Sequence, residues 1–433
     1  MARPYAVPPA RRPVDAVVEI PGSKSITNRA LLLAALSDHM VTLDNVLFSD
    51  DSRNFLQCLV KLGFPVAFNE TNKAVQIIGQ NGAIPKRTAA IYVGSAGTAA
   101  RFLSAMLAAG RGEYLVEASE QMSARPMAPL VGALREQGAD FSFPGKPDAL
   151  PFRIKSNGLQ GGRVRLAASQ SSQFLSALLM VACFSAADTE IAIEGELPAK
   201  PFVAMTLRMM ADFGVKASHR DFKSFTVAAG QRYQGLDYAI EPDLSNAGYF
   251  FAMAALTGGT VLVRGASLDT LQGDIKLLDI LKQMGCKVRP EEDGIRLTGP
   301  AGGRFPGVDV DMSGLPDQTP TVAALAPFAA SPTIIRNIGF IRYHESDRLT
   351  AIVNELTRLG IRAEVNGDGL VIYPGTPQPA ELETYDDHRM AMALALVGLR
   401  APGIRIKHPE CTAKTFENYF DLFDRTVQGV DSH

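Results

Sequence analysis

Several stretches of this chain set cations beside small, hydrogen-bonding residues. In PGSKSITNRALLLAAL, from Pro21, Lys24 and Arg29 flank Ser25, and the Gly before them lets backbone approach a ligand. In VGSAGTAARFLSAML, from Val93, Gly94, Gly97 and Thr98 precede Arg101. YDDHRMAMALALVGL, from Tyr385, carries Asp387, His388 and Arg389. Between them lie Arg125 in SARPMAP, Arg348 in HESDR and Lys414 in AKTF. The polar clusters run into apolar helical stretches, and the free N–H groups of a helix start favour anions. Arg binds carboxylate and phosphate in bidentate fashion, so the set suits a small polyanion. Two acids, Asp317 in LPDQTP and Glu345 in HESDR, interrupt the cations. An acid there repels an anionic ligand, which points to a task such as moving protons.

Singly, each feature has a plain structural reading. A lone Lys or Arg at a helix start is a solvated charge, SSQF is an N-cap, DDHR is an Asp–Arg pair, and Asp317 caps a helix. VGSAGT lacks the GxGxxG spacing of a dinucleotide loop. Repetition separates the readings, because anion-ready helix starts are expected in both halves of the chain.

The elements that must position these residues form a repeat. Six times a small, polar cluster enters an apolar helical run; the other three are SQSSQFLSALLMVA, EPDLSNAGYFFAMAAL and PDQTPTVAALAPFAA. The starts recur at intervals of roughly 70 to 75 residues, the size of a supersecondary building block rather than a solenoid turn. Most units hold a second helix, as in FLQCLVKLGFPVAF and AIVNELTRLGIRAEV, with apolar residues at helical spacing and a Gly where a C-cap wants a left-handed residue. Strands follow, as in AVQIIG and TVLVRG. The six units group as three plus three, with the crossover near YQGLDYAIEPD. A strand, DAVVEI, precedes the first helix.

Composition narrows the class. The 433 residues are 46% hydrophobic and 20% charged, enough for two or three packed domains. Lys and Arg number 43 against 45 Asp and Glu, a balance unlike that of a nucleic-acid binder. The longest apolar stretch, residues 174–184, is too short to span a bilayer, and the N-terminal residues have no signal core. Four scattered cysteines, Cys58, Cys183, Cys286 and Cys411, read as buried thiols, and the six histidines show no metal spacing. A cytoplasmic chain needing no metal is expected.

The segments PGSKSITNRALLLAAL, GSAGTAARF, ARPM, SSQFLSALL, EPDLSNAGYF, PD at Pro316, HESDRL, DDHRMAMALAL and KTFENYF, in this order from about Pro21 to Phe420, resemble the 5-enolpyruvylshikimate-3-phosphate synthase family. The resemblance implies an α/β fold of two domains, each of three βαβαββ repeats, with the active site in the cleft between them. The expected boundaries are 22–237 for one domain, and 1–21 with 238–433 for the other, so that the N-terminal strand joins the second half. The implied reaction moves the enolpyruvyl (carboxyvinyl) group of phosphoenolpyruvate to the 5-hydroxyl of shikimate 3-phosphate and releases phosphate, a step of chorismate and aromatic amino-acid biosynthesis. It needs no cofactor. The implied partners are the two small-molecule substrates, with no nucleic acid or membrane, and the chain is expected to act as a monomer.

Carried over residue by residue, Lys24 touches both substrates, and Ser25 and Arg29 hold the shikimate carboxylate. Ser171 and Ser172 bind its phosphate, with Gln173 against the ring and counted also among the phosphoenolpyruvate contacts. Gly97, Arg125, Arg348, Arg389 and Lys414 hold phosphoenolpyruvate. Asp317 takes the 5-hydroxyl proton, Glu345 stands near the methylene, and Lys24 shares in proton transfer. The chain departs from the family's pattern where Ser95, Phe102, Ala199, Phe202, Phe340, His344 and Glu417 replace the usual Asn, Pro, Ser, Tyr, Asn, Lys and Pro. His344 is expected beside the shikimate phosphate, with Lys200 as a neighbouring source of charge. Two alternatives remain at this level: a UDP-N-acetylglucosamine enolpyruvyl transferase, and a non-catalytic phosphometabolite-binding protein on the same scaffold. Lys24-Ser25 in place of a KN pair, and the absence of Cys between Cys58 and Cys183, weigh against the first. Retention of both Asp317 and Glu345 weighs against the second.

Overall fold

The computed structural model describes residues 3–429. They pack as two compact units: Gly22–Ile240, and the residues up to Pro21 together with those from Glu241 onward. The strand Asp237–Ala239, which runs past the expected boundary at 237, pairs parallel with Met40–Asp44 and stays with the first of these units.

The apolar runs form helices buried on nearly every side. These are Lys24–Leu36, Gly97–Ala109 and Gln173–Ala182 in one unit, and Leu244–Thr257, Thr319–Leu325 and His388–Gly398 in the other. Sequences this apolar all round have no solvent face to offer, so each set of three packs together as the core of its unit. Ser25 and Gln173 escape full burial because they stand in the first turns of their helices, among the polar clusters. The second helices are amphipathic and lie outside. Arg348–Arg358, for example, buries Arg348, Leu349, Ala351, Ile352, Glu355 and Leu356 and exposes Thr350, Asn354, Thr357 and Arg358.

Six small sheets complete the repeats. In five of them the first two strands are parallel and an antiparallel hairpin follows, as in Thr88–Tyr92, Arg111–Glu117, Phe152–Asn157 and Asp140–Ser142. The N-terminal strand Asp15–Glu19 pairs parallel with Thr260–Arg264, setting Val17 opposite Leu262. The sixth sheet departs from the expected repeat. Its parallel pair, Glu381–Leu382 and Arg405–Ile406, is only two residues long, and Tyr5–Ala6 supplies the antiparallel strand. The strand stops because His408 turns left-handed and Pro409 begins a 3-10 turn, removing a ladder N–H.

Five second helices end in one motif. After Asp50–Lys61, the Gly63 N–H donates to Val60 O at 3.0 Å and the Phe64 N–H to Leu59 O at 3.0 Å. The same pair of bonds closes the helices before Gly138, Gly214, Gly285 and Gly360, all with positive φ. At Gly285, φ is 87°, and the nearest atom to an added Cβ, on Pro300, would be 3.6 Å away. A side chain fits in space, so Gly285→Ala reports backbone strain alone. It is expected to lower stability by about 1 kcal/mol, read as a lower denaturation midpoint with an unchanged slope.

Candidate active site

In the Gly22–Ile240 unit the cations gather at helix starts whose cap residues make no side-chain bond, although Ser171 Oγ takes the N–H at the start of the Gln173 helix. Ser23, Ala96 and Ser172 precede the helices at Lys24, Gly97 and Gln173, and none makes a side-chain cap bond. In the other unit the carboxylates of Asp243 and Asp387 accept from the N–H groups of Asn246 and Arg389, both at 3.0 Å. The expectation of anion-ready starts in both halves is therefore corrected. Two of the starts in the second half are filled by the chain's own acids, which satisfy the N–H groups an anion would use.

Arg29 is buried and has no carboxylate partner among the described residues. Its Nε donates to Thr206 Oγ1 at 2.8 Å, Nη1 to Ser25 O at 2.9 Å, and Nη2 to Phe202 O at 3.1 Å. The Phe102 ring lies 5.3 Å from its guanidinium carbon. Burial alone pulls its pKa down to about 9, because no negative charge offsets the desolvation. A buried, uncompensated guanidinium is a standing attraction for a carboxylate.

Beside it, Lys24 is ion-paired with the buried Asp51 at 3.6 Å. Arg101 donates to Gln173 Oε1 at 2.6 Å and to Pro126 O at 3.1 Å, so it buttresses both Gln173 and the loop that carries Arg125. Gly97 lets the guanidinium groups come close: a Cβ there would stand 2.7 Å from Arg125 Nη1 and 2.9 Å from Arg101 Nη1, so one or both would have to shift. Ser171 Oγ accepts from the Gln173 N–H at 3.2 Å, and Ser172 is buried at the cap. Lys200 is exposed, and Ala199 turns left-handed to begin the helix Lys200–Asp212.

The other unit contains an ion cluster built on Arg348, whose side chain is fully buried. Its Nε and Nη2 grip Asp387 at 2.8 and 3.2 Å, Nη2 also reaches Glu345 at 2.8 Å, and Nη1 reaches Asp317 at 2.8 Å. Arg389 holds the second oxygen of Asp317 at 2.9 Å, and Lys414 lies 3.9 Å from Glu345. Nδ1 of His344 faces inward, 3.1 Å from Arg348 Nη1 and 3.8 Å from Asp317, while its ring meets Phe340 edge-on at 5.8 Å. Burial would raise the Asp317 pKa, but Arg389, Arg348 and His344 overrule it and hold the carboxyl well below the usual range. Asp317 is thus held in its ionised form by the cations around it.

The structure brings Lys24, Ser25, Arg29, Gly97, Arg125, Ser171, Ser172 and Gln173 into one unit, and Asp317, His344, Glu345, Arg348, Arg389 and Lys414 into the other. Sequence reasoning missed Asp51, which reads as an ordinary first-turn acid, and Gln318 and Asp274, discussed below. It underrated Asp387, which both caps its helix and anchors Arg348. Among the described residues no group of three or more His, Cys, Asp or Glu is gathered as metal ligands would be. No helix among them is long and apolar enough to cross a membrane.

Because Asp387 and Arg348 are both shut away from water, Asp387→Ala leaves Arg348 short of its bidentate partner. A loss of about 3 kcal/mol of stability is expected, checked by chemical denaturation.

The EPSP synthase (3-phosphoshikimate 1-carboxyvinyltransferase) family profile matches residues 9–423. The 3-phosphoshikimate 1-carboxyvinyltransferase of Trichormus variabilis is 49% identical over 422 residues, covering 98% of this chain and 99% of that protein. The enzyme of the same name from Erwinia tasmaniensis is 42% identical, over 95% of this chain and 96% of its own. A solved EPSP synthase from Acinetobacter baumannii shares the fold, with a TM-score of 0.82 at 24% identity over 98% of both chains. With the family's motifs running from the Lys24 helix start to Lys414, and relatives this similar along their whole length, the chain belongs to the EPSP synthase (3-phosphoshikimate 1-carboxyvinyltransferase) family.

Proposed function

We propose that this enzyme transfers the enolpyruvyl group of phosphoenolpyruvate to the 5-hydroxyl of shikimate 3-phosphate, releasing phosphate. The observation that carries the reading is Asp317, an ionised carboxylate fixed between Arg348 and Arg389 with Glu345 and Lys414 beside it. In this reading the 5-hydroxyl oxygen bonds to the central carbon of phosphoenolpyruvate while its proton passes to Asp317. The methylene carbon gains a proton. The tetrahedral intermediate then loses phosphate, and a proton leaves the methyl group to restore the double bond. Glu345 and Lys24 are the groups proposed for the carbon-centred transfers.

Arg348, Arg389, Lys414, Arg125 and the backbone at Gly97 are the proposed seats for phosphoenolpyruvate. Ser25 and Arg29 are those for the shikimate carboxylate. Ser171, Ser172 and His344 are those for the shikimate phosphate, with Gln173 reaching both substrates. The cations that hold Asp317 are the same ones proposed for phosphoenolpyruvate. An anion that takes Arg348 and Arg389 withdraws their field from Asp317 and raises its proton affinity. Substrate binding would thus turn a weak base into a working one, at the moment a proton must be accepted.

The free thiols of Cys58, Cys183, Cys286 and Cys411 suit a reducing compartment, and the cytoplasm is the one we propose. A single chain carries every group assigned above, so a monomer would suffice.

Incubation with phosphoenolpyruvate and shikimate 3-phosphate is expected to release phosphate, and UDP-N-acetylglucosamine in place of the second substrate is expected not to. Release with neither acceptor would leave the reading without support. Asp317→Asn is expected to lower kcat by about a hundredfold or more while the protein stays folded by circular dichroism. Arg29→Lys keeps the charge but not the planar fork. It is expected to lower kcat/KM for shikimate 3-phosphate by about tenfold or more, measured at fixed, saturating phosphoenolpyruvate.

A further inference from the structure

Next to the Asp317 cluster, in the same unit, lies a carboxyl group that no step above uses. Asp274 sits on the 3-10 turn Gly273–Lys276 and is only 3% exposed. The side-chain amide of Gln318 donates to its Oδ1 at 3.3 Å. Gln318 follows Asp317 in the chain, is fully buried, and donates also to Ser245 O at 3.1 Å, while its Oε1 has no hydrogen-bond partner. The amide fits because Gly248 faces it: a Cβ there would stand 2.5 Å from Gln318 Oε1. The turn under Asp274 is itself anchored. Gln272 accepts from the Leu244 N–H at 2.9 Å and donates to Glu241 at 3.0 Å and to Pro242 O at 2.8 Å.

The charges facing Asp274 are Asp317 and Asp243, which repel its negative form, and Arg389, which favours it. Burial is the largest influence, and together with the two acids it pushes the Asp274 pKa up to about 7. A protonated carboxyl keeps an acceptor for the Gln318 N–H and gains an O–H donor, while the amide across from it has a carbonyl oxygen without a donor.

We propose that Asp274 is a positioning residue for Asp317, acting through the hydrogen bond it accepts from the Gln318 amide. It fixes the turn Pro316–Gln318 from below, while Arg348 and Arg389 hold the carboxylate that the turn presents. The inference rests on Asp317 being the base of the proposed reaction.

Three variants test it in the full chain: Asp274→Asn, Asp274→Ala and Gln318→Met. The asparagine variant keeps the polar partner without the charge and is expected to hold kcat within about threefold of wild type. The other two are expected to lose about tenfold in kcat, with both KM values moving less than about threefold. A carboxyl whose folded pKa is raised costs stability as pH climbs from its unfolded value to its folded one. Asp274→Asn is therefore expected to melt higher than wild type near about pH 8, with the difference gone near about pH 4. Wild-type kcat in both Asp274→Ala and Gln318→Met would overturn the proposal. So would Asp274→Asn falling as far as Asp274→Ala, since charge would then be the working property. Should Asp274→Ala fail to fold, Gln318→Met decides. A wild-type chain that releases no phosphate overturns the reaction assignment itself, a result distinct from an active wild type with indifferent variants.

Discussion

The buried guanidinium of Arg348 is the constraint around which one whole unit is arranged. A charge with no exposure must be met by opposite charge, and three carboxylates meet this one: Asp387, Glu345 and Asp317. They come from three places in the chain: the cap of a core helix, the turn before Arg348, and the 3-10 turn ahead of Thr319. Satisfying Arg348 thus draws the fifth and sixth repeats to one point. It also leaves Asp317 with a proton affinity set by its neighbours.

The two buried arginines are met in opposite ways. Around Arg348, carboxylates and cations alternate, and the ligand-free protein is its own counterion. Around Arg29, the protein supplies hydroxyls, carbonyls and an aromatic face but no acid, and the positive charge stands uncompensated. An anion bound at the first must compete with resident carboxylates. One bound at the second displaces nothing charged.

Much of this was legible in the sequence, and for a physical reason. The apolar runs are buried on nearly every side, so polar residues collect at their starts, and PGSKS, GSAGT and SSQF mark those starts. The glycines that close the second helices are equally visible, since a left-handed residue admits little else. Side-chain pairings that only the fold brings together were not legible. Asp51 looks like any first-turn acid until the fold sets it against Lys24, and Gln318 like any polar residue until Gly248 opens a slot for it. The filled helix starts at Asp243 and Asp387 were misread because an Asp before a helix can either cap it or wait for a ligand, and spacing alone does not distinguish the two. The sixth repeat lost its hairpin to a His-Pro step, a local stop in a pattern that was otherwise regular.

The pairing of Asp15–Glu19 with Thr260–Arg264, and of Tyr5–Ala6 with Arg405–Ile406, has a temporal meaning. A chain made from its N-terminus emerges with strands whose partners do not yet exist. Residues 22–240 can close their own sheets as soon as Asp237–Ala239 is made, whereas the first strands wait for roughly 250 to 400 residues of synthesis. Until then two edges stay unpaired, and the first is a short strand bounded by Asp15 and Glu19. Acidic ends on a waiting edge discourage pairing with another chain. The order of assembly is thereby written into the topology: the unit that holds Arg29 is complete first, and the unit that holds Arg348 last.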